Sequence, residues 1–175
     1  MSDFNAPAQF VVDTSVWVAF SAVKRLDVFW RILGRAAIPG AVYAELITEG
    51  VGWIEAEQAQ EEISAKSNRV EIVDLDATGI ERIDREGLDP GEREVISLAK
   101  AWKITPVIDE PKGRRIASKH GLRPIGTLGI LALAVRQGVI ASVGPIVVEM
   151  RAKSLRFSDA LLAEFMKNIG EQWPP

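Results

Sequence analysis

The chain has 175 residues, 47% hydrophobic and 26% charged, with a formal net charge of −3, a length and balance suited to one globular domain with a substantial core. It contains no cysteine and a single histidine, His120. This excludes a disulfide framework, a cysteine-ligated zinc or iron–sulfur site and a histidine-rich metal site, so a metal centre here must rest mainly on oxygen ligands and suits Mg²⁺ or Mn²⁺.

Short apolar runs alternate with helical patterns along the chain. Gln9–Val12 reads as a strand, and "SVWVAFSAV" from Ser15 as a helix with Thr14 or Ser15 as its N-cap. "AAIP" at 36–39 is a short apolar run closed by Pro39, and "PGAVYAELI" reads as a helix with proline near its start. Residues 53–66 are polar and helical in pattern, and the stretch 50–68 reads as a peripheral insertion or mobile element. "RVEIVDL" at 69–75 alternates like a strand. "DPGEREVISLAKAW" is a helix with a clear start signal, "TPVID" a strand, and "KGRRIASKHG" a helix ended by Gly121. "RPIGT" reads as another short strand and "LGILALAVRQG" as an apolar helix stopped by glycine. "SDALLAEFMKNIG" is an amphipathic helix with Ser158 as its cap. The alternation predicts an α/β fold with a mostly parallel sheet covered by helices on both faces.

A net charge of −3 argues weakly against non-specific nucleic-acid binding, but a cluster of acidic metal ligands lowers net charge while its ions restore it locally. "MSDFNAPAQF" lacks a basic segment followed by an apolar one, and the longest apolar stretch, around Leu128–Val135, is too short to span a membrane. The expectation is a cytoplasmic protein.

One carboxylate, Asp13, interrupts the apolar opening "VVDTSVW", where strand becomes helix. In an open α/β sheet, ligands bind beyond the carboxyl ends of the strands. Asp13 follows the first strand directly, Asp109 follows "TPVI", and Glu45 and Glu92 lie early in helices. Each has a plain explanation. Asp13 and Asp109 can cap the helices that follow, Glu92 stands at capping-box spacing from Asp89, and Glu45 can be a solvated edge residue. Their convergence on one crevice carries more information than any of them singly. Carboxylates gathered there repel one another unless a cation lies among them, and Mg²⁺ prefers oxygen ligands and keeps several waters.

These segments together resemble the PIN domains, in particular the small prokaryotic branch related to VapC-type toxins. "VVDTSVW" matches the opening strand and its Asp-(Thr/Ser)-Ser signature. "IPGAVYAELI" matches the second-acid segment and "LDPGEREVISLAKAW" the third-acid helix. "VIDEPKGRRIASKHGLRPIGTLGILALAVRQGVI" matches the fourth acid, the following helix and a Gly-Thr turn, and "LRFSDALLAEFMKNIGE" resembles the branch's C-terminal helix. The resemblance covers nearly the whole chain. It implies a single three-layer α/β/α domain over 1–175, with a C-terminal helix at about 158–169 packed on it.

The same resemblance implies Asp13, Glu45, Glu92 and Asp109 as catalytic and metal-binding acids, with Ser15 and Thr127 as supporting hydroxyls. Glu94 is a lower-ranked competitor of Glu92. In "DEPKG", Glu110 follows Asp109 where a second aspartate is common, which leaves open which of the two faces the metal. The implied activity is Mg²⁺- or Mn²⁺-dependent cleavage of single-stranded or structured RNA, with a small antitoxin and a homodimer as partners. "KGRRIASKHGLR" begins just after Asp109, and its Lys112, Arg114 and Arg115 are candidates for RNA contact, against the alternative of a solvated helix face. His120 reads as a helix-end residue, and Trp17 and Trp30 as packed in the core or a dimer face. The rival expectations are an inactive PIN-like module that binds a protein or RNA partner and, more weakly, a metal-dependent phosphatase.

Overall fold

The computed structural model describes residues 7–49, 57, 61–63, 68–83 and 87–174. Four strands, β1 (Phe10–Val12), β2 (Ala36–Pro39), β3 (Val70–Val73) and β4 (Thr105–Val107), form a parallel sheet in the order β3-β2-β1-β4. Val11 pairs with Ala37 on one side and Pro106 on the other, and Ala37 pairs with Glu71. The chain steps outward from β1 to β3, then returns to the far side of β1 with β4. The order therefore reverses between β1 and β4, and the crevice beyond that pair is where an open α/β sheet receives a ligand. Proline is tolerated in β4 because only its carbonyl is needed there: Pro106 accepts from Ile125 N–H at 3.1 Å.

"RPIGT" contributes one parallel bridge, Ile125 to Val107, rather than the expected strand. Pro124 has no N–H to donate and Gly126 turns at once into a helix, so the ladder cannot extend.

Helix α1 (Thr14–Ala22) follows β1, and its N-cap is Asp13 rather than the expected Thr14 or Ser15. Asp13 holds the extended backbone of a cap (φ −84°, ψ 152°) while Thr14 is already helical. Lys24, at φ 54°, ends the helix, and α2 (Leu26–Leu33) begins almost immediately. Trp17, Phe20, Phe29 and Trp30 interlock between these two helices with ring centroids 4.8–5.8 Å apart, mostly edge to face. Trp17 and Trp30 are thus core residues.

After β2, α3 (Gly40–Tyr43) widens into a π-helical turn over Ala44–Glu49. After β3, Asp74 caps the short α4 (Leu75–Thr78). Residues 57 and 61–63 are helical, and the rest of the polar stretch at 50–68, apart from 68, lies outside the described residues. Helix α5 (Pro90–Trp102) opens with a full capping box between Asp89 and Glu92 and lies across β1, β2 and β4. Helices α3 and α6 (Pro111–Lys119) pack beside it. Helices α1, α2 and α7 (Thr127–Arg136) form the second helical group, which completes an α/β/α fold. Helix α8 (Gly144–Ala152) has no side-chain cap of its own; the Glu171 carboxylate accepts from Val143 N–H and Gly144 N–H instead. Ser158 caps α9 (Asp159–Ile169) as expected. Among the described residues no helix is long and apolar enough to cross a membrane.

Candidate functional site

The carboxyl ends of β1 and β4 lie side by side, joined past the strands by Asp13 N–H donating to Val107 O at 3.0 Å. The Asp13 side chain is buried where β1 becomes α1, and Oδ2 accepts from Ser15 Oγ at 2.6 Å and Ser15 N–H at 3.3 Å. Burial pushes its pKa up from 3.8 to about 6, and the charges of Asp89 and Glu45 push the same way against the Ser15 hydrogen bonds.

Glu92 comes from the first turn of α5. Its Oε2 accepts from Asp89 N–H at 3.4 Å, while Glu92 N–H donates to Asp89 Oδ1 at 2.7 Å. Its other oxygen, Oε1, is buried and has no hydrogen-bond partner. Burial again dominates its pKa, raised from 4.5 to about 7, and Asp89, Asp13 and Glu110 add to the shift. The capping box therefore accounts for one of the two carboxylate oxygens only. Buried polar atoms are mostly satisfied, and among the buried side-chain atoms of the described residues that find no hydrogen bond, Oε1 is the one oxygen, an acceptor open to a cation or a donor.

Glu45, on the widened turn after α3, is exposed, and its Oε2 accepts from Thr14 Oγ1 at 2.7 Å. Gly91 lies between it and Asp89: a Cβ there would stand 3.5 Å from Glu45 Oε2 and 3.4 Å from Asp89 Oδ1. Asp13, Glu45, Asp89, Glu92 and Glu110 thus share one electrostatic neighbourhood.

Asp109 is held by a different partner. Its Oδ1 accepts from Thr127 N–H at 2.7 Å and its Oδ2 from Thr127 Oγ1 at 2.6 Å, so both oxygens are turned onto the start of α7. Asp109 does not cap α6, whose N-cap is Glu110. Glu94 is committed elsewhere, accepting from Ala41 N–H at 2.9 Å and pairing with Arg82 at 2.8 Å. Sequence reasoning treated Asp89 only as a cap and Thr14 only as a cap or hydroxyl. The signal for both was adjacency, Asp89 beside Gly91 and Thr14 beside Asp13.

The basic candidates divide. Lys112 Nζ donates to Gly87 O at 2.7 Å and Arg114 Nη1 to Ile108 O at 3.1 Å, whereas Arg115 is exposed. His120 is the C-cap of α6.

The donor set is all oxygen, one buried oxygen lacks a partner, and Asp13 and Glu92, both buried, hold their protons more tightly than free carboxylates do. These features fit a hard divalent cation. Among the described residues, however, no three acids stand close enough together to hold one ion.

A family model, DUF3368, described as a PIN domain, matches residues 9–171. Among solved structures, the chain is similar at 21% identity to VapBC2 from Rickettsia felis, in a crystal structure bound to a DNA fragment from their promoter. That alignment covers 67% of this chain and 97% of the other, with a TM-score of 0.45. No curated protein matches.

Proposed function

The chain belongs to the PIN-domain family, and on that premise we propose that it is a Mg²⁺- or Mn²⁺-dependent endoribonuclease acting on single-stranded or structured RNA. The observation that carries the proposal is the partnerless buried Glu92 Oε1 among the charges of Asp13, Asp89 and Glu110. In this reading the cation would draw on Asp13 and Glu92, buried at the crevice, with Glu45, Glu110 and Asp109 as the acids around them, since no three acids among the described residues are placed to hold one ion together. When bound, a divalent ion lowers the pKa of water and offsets charge on the phosphodiester.

The chain's own groups do the rest. Ser15 fixes the Asp13 carboxylate, and Thr14 fixes Glu45 from the adjacent position on the same helix turn. The Asp109–Thr127 pair locks the loop after β4 onto the start of α7, which holds Glu110 beside the crevice. Arg115, exposed on α6, attracts the phosphate backbone. Through the likeness of its sequence to small prokaryotic PIN proteins, the reading extends to a cytoplasmic toxin of a VapBC-like pair, with a small antitoxin and a homodimeric state.

The separation of the acids favours one rival, an inactive PIN-like module that works through a protein or RNA partner. The test is cleavage of a labelled RNA panel with Mn²⁺, with EDTA, and by Asp13→Asn. Asparagine still caps α1, so the fold survives while the charge is lost. Cleavage that requires both Mn²⁺ and Asp13 establishes the nuclease. Undiminished cleavage by a pure Asp13→Asn preparation refutes the assignment, and absence of both cleavage and Mn²⁺-induced thermal stabilisation transfers it to the binding module.

A further inference from the structure

The acids occupy the carboxyl edge of the sheet. At the opposite edge, where α5 and α6 end and β4 begins, a cavity of about 370 Å³ is lined by Lys100, Lys103, His120 and Arg123 together with the Thr105 and Gly121 segments. A second hollow of about 440 Å³ shares Lys100 and His120 with it and adds the apolar Ile80, Ile83 and Ala101. Each has the volume of an ordinary ligand pocket. Glu81 is the carboxylate that lines the second hollow, and none lines the first.

Lys100, Lys103 and Arg123 are exposed, and no acid among the described residues pairs with them. One cation at each helix end would complement the helix dipole. Lys103 is itself the C-cap of α5, left-handed with its backbone N–H donating to Ala99 O, and Arg123 lies beyond His120, the C-cap of α6, so the cluster holds more positive charge than one cation per helix end.

The two edges are connected. Lys112, Arg115 and Lys119 are exposed at helical spacing on one face of α6, and Arg123 follows four residues later. This row begins beside the acids and ends at the basic cavity. The thirteen residues of α5, at ~1.5 Å rise each, put roughly 20 Å between the edges. A strand stacked at ~3.4 Å per nucleotide crosses that distance in about six nucleotides, and an extended one in fewer.

We propose that the Lys100–Lys103–Arg123 groove is a second phosphate-binding site, which holds the flanking backbone of an RNA strand whose scissile segment lies at the acidic crevice. The assignment rests on the nuclease reading for its substrate, and its test is a binding measurement that needs no catalysis. The ligand class follows from the row of cations that joins the two edges, because a polyanionic strand is the chemistry that engages all of them together.

In the non-cleaving Asp13→Asn background, the triple variant Lys100→Gln, Lys103→Gln, Arg123→Gln is titrated with fluorescent RNAs of about twelve and about three nucleotides, the longer spanning both sites and the shorter only one. A control triple replaces Lys24, Lys153 and Lys167, exposed lysines elsewhere, and changes net charge equally. The groove triple should bind the long RNA roughly tenfold more weakly, with a salt slope shallower by about two, as three lost single-strand phosphate contacts require. The short RNA and the control triple should be unaffected.

Parent-like binding of the long RNA by the groove triple overturns the proposal, as does an equal loss in the control triple, which would mark bulk charge. Unchanged binding of the long RNA by a groove triple whose affinity for inorganic phosphate has fallen also overturns it, and identifies a small-anion site. The nuclease reading is judged separately. With Asp13 restored, the groove triple should cleave the short RNA at the parent rate.

Discussion

Gly113→Ala separates the integrity of the fold from the placement of Glu92. Gly113 is buried in the first turn of α6, where alanine is the better helix former by up to ~1 kcal/mol. A Cβ at this position would lie 2.5 Å from Glu92 Oε1, 3.3 Å from Glu92 Cδ and 3.1 Å from Ile108 Cγ2. The carboxylate is the far end of a rotatable stem and must move, while Ile108 yields by a few tenths of an ångström. Driving a side chain off its rotamer costs about 0.5–1.5 kcal/mol, and crowding a packed core about 1–3 kcal/mol. Set against a propensity gain of ~1 kcal/mol, the net destabilisation is about 0.5–3.5 kcal/mol, a fall in Tm of roughly 1–14 °C for a chain of this size. Catalysis is far less tolerant, since a misplacement of ~1 Å at a reacting group costs on the order of a hundredfold. The assay is kcat/KM on labelled RNA in Mn²⁺, paired with thermal melts with and without the metal. A folded Gly113→Ala protein that cleaves at the parent rate and keeps its full Mn²⁺ stabilisation would refute the idea that Glu92 Oε1 faces the reactive centre.

Two further outcomes test the electrostatics and the loop lock. Asp13 and Glu92 bind protons more tightly folded than unfolded, with values raised from 3.8 to about 6 and from 4.5 to about 7. Protonation therefore favours the native state. The stability this contributes is complete below the unfolded values and is lost as pH rises through the folded ones. In EDTA, the parent should lose stability relative to Asp13→Asn between about pH 4 and pH 6, and Mn²⁺ should cancel the loss at neutral pH. A parent-minus-variant Tm that climbs over that range would contradict the burial argument. Thr127→Val removes the 2.6 Å hydroxyl donor to Asp109 and leaves the backbone N–H in place. It should cost about 1–3 kcal/mol in urea unfolding and reduce cleavage less than Asp13→Asn does; a neutral melt would show that the pair does not hold the loop.

The parts of the fold that were legible in sequence are those whose signals are local. The Asp89–Glu92 box, the Ser158 cap and the alternation at 70–73 are each set by residues within one turn or one strand. Sequence reading left α2, α4 and α8 unassigned; α4 is a single turn capped by Asp74, while α2 and α8 start without a side-chain cap. Helix α2 is separated from α1 by a three-residue break at Val23–Arg25 and is specified by the aromatic packing it completes. The orphan N–H groups of α8 are satisfied by Glu171, from 27 and 28 residues away, a partnership no local pattern encodes. The bridge at Ile125 failed as a strand for a reason visible in hindsight, its proline and glycine neighbours.

The ambiguity of "DEPKG" has the same origin. Adjacent residues at a strand end point in different directions, and only the elements opposite them determine which one meets the crevice. Gly126 is the informative neighbour. A Cβ there would collide with Asp109 Oδ1 and stand 3.0 Å from Arg114 Nη1 and 3.1 Å from Ile108 O, so the Gly-Thr turn is a cradle shaped to the Asp109 carboxylate. Thr127 then takes both oxygens of that carboxylate. The Asp109 charge thereby lies at the positive end of α7, which stabilises it. Glu110 is left as the acid after β4 whose charge raises the Glu92 pKa. The two carboxylates are consecutive in sequence but differ in partners: Asp109 is held by Thr127, and Glu110, the N-cap of α6, adds its charge to Glu92.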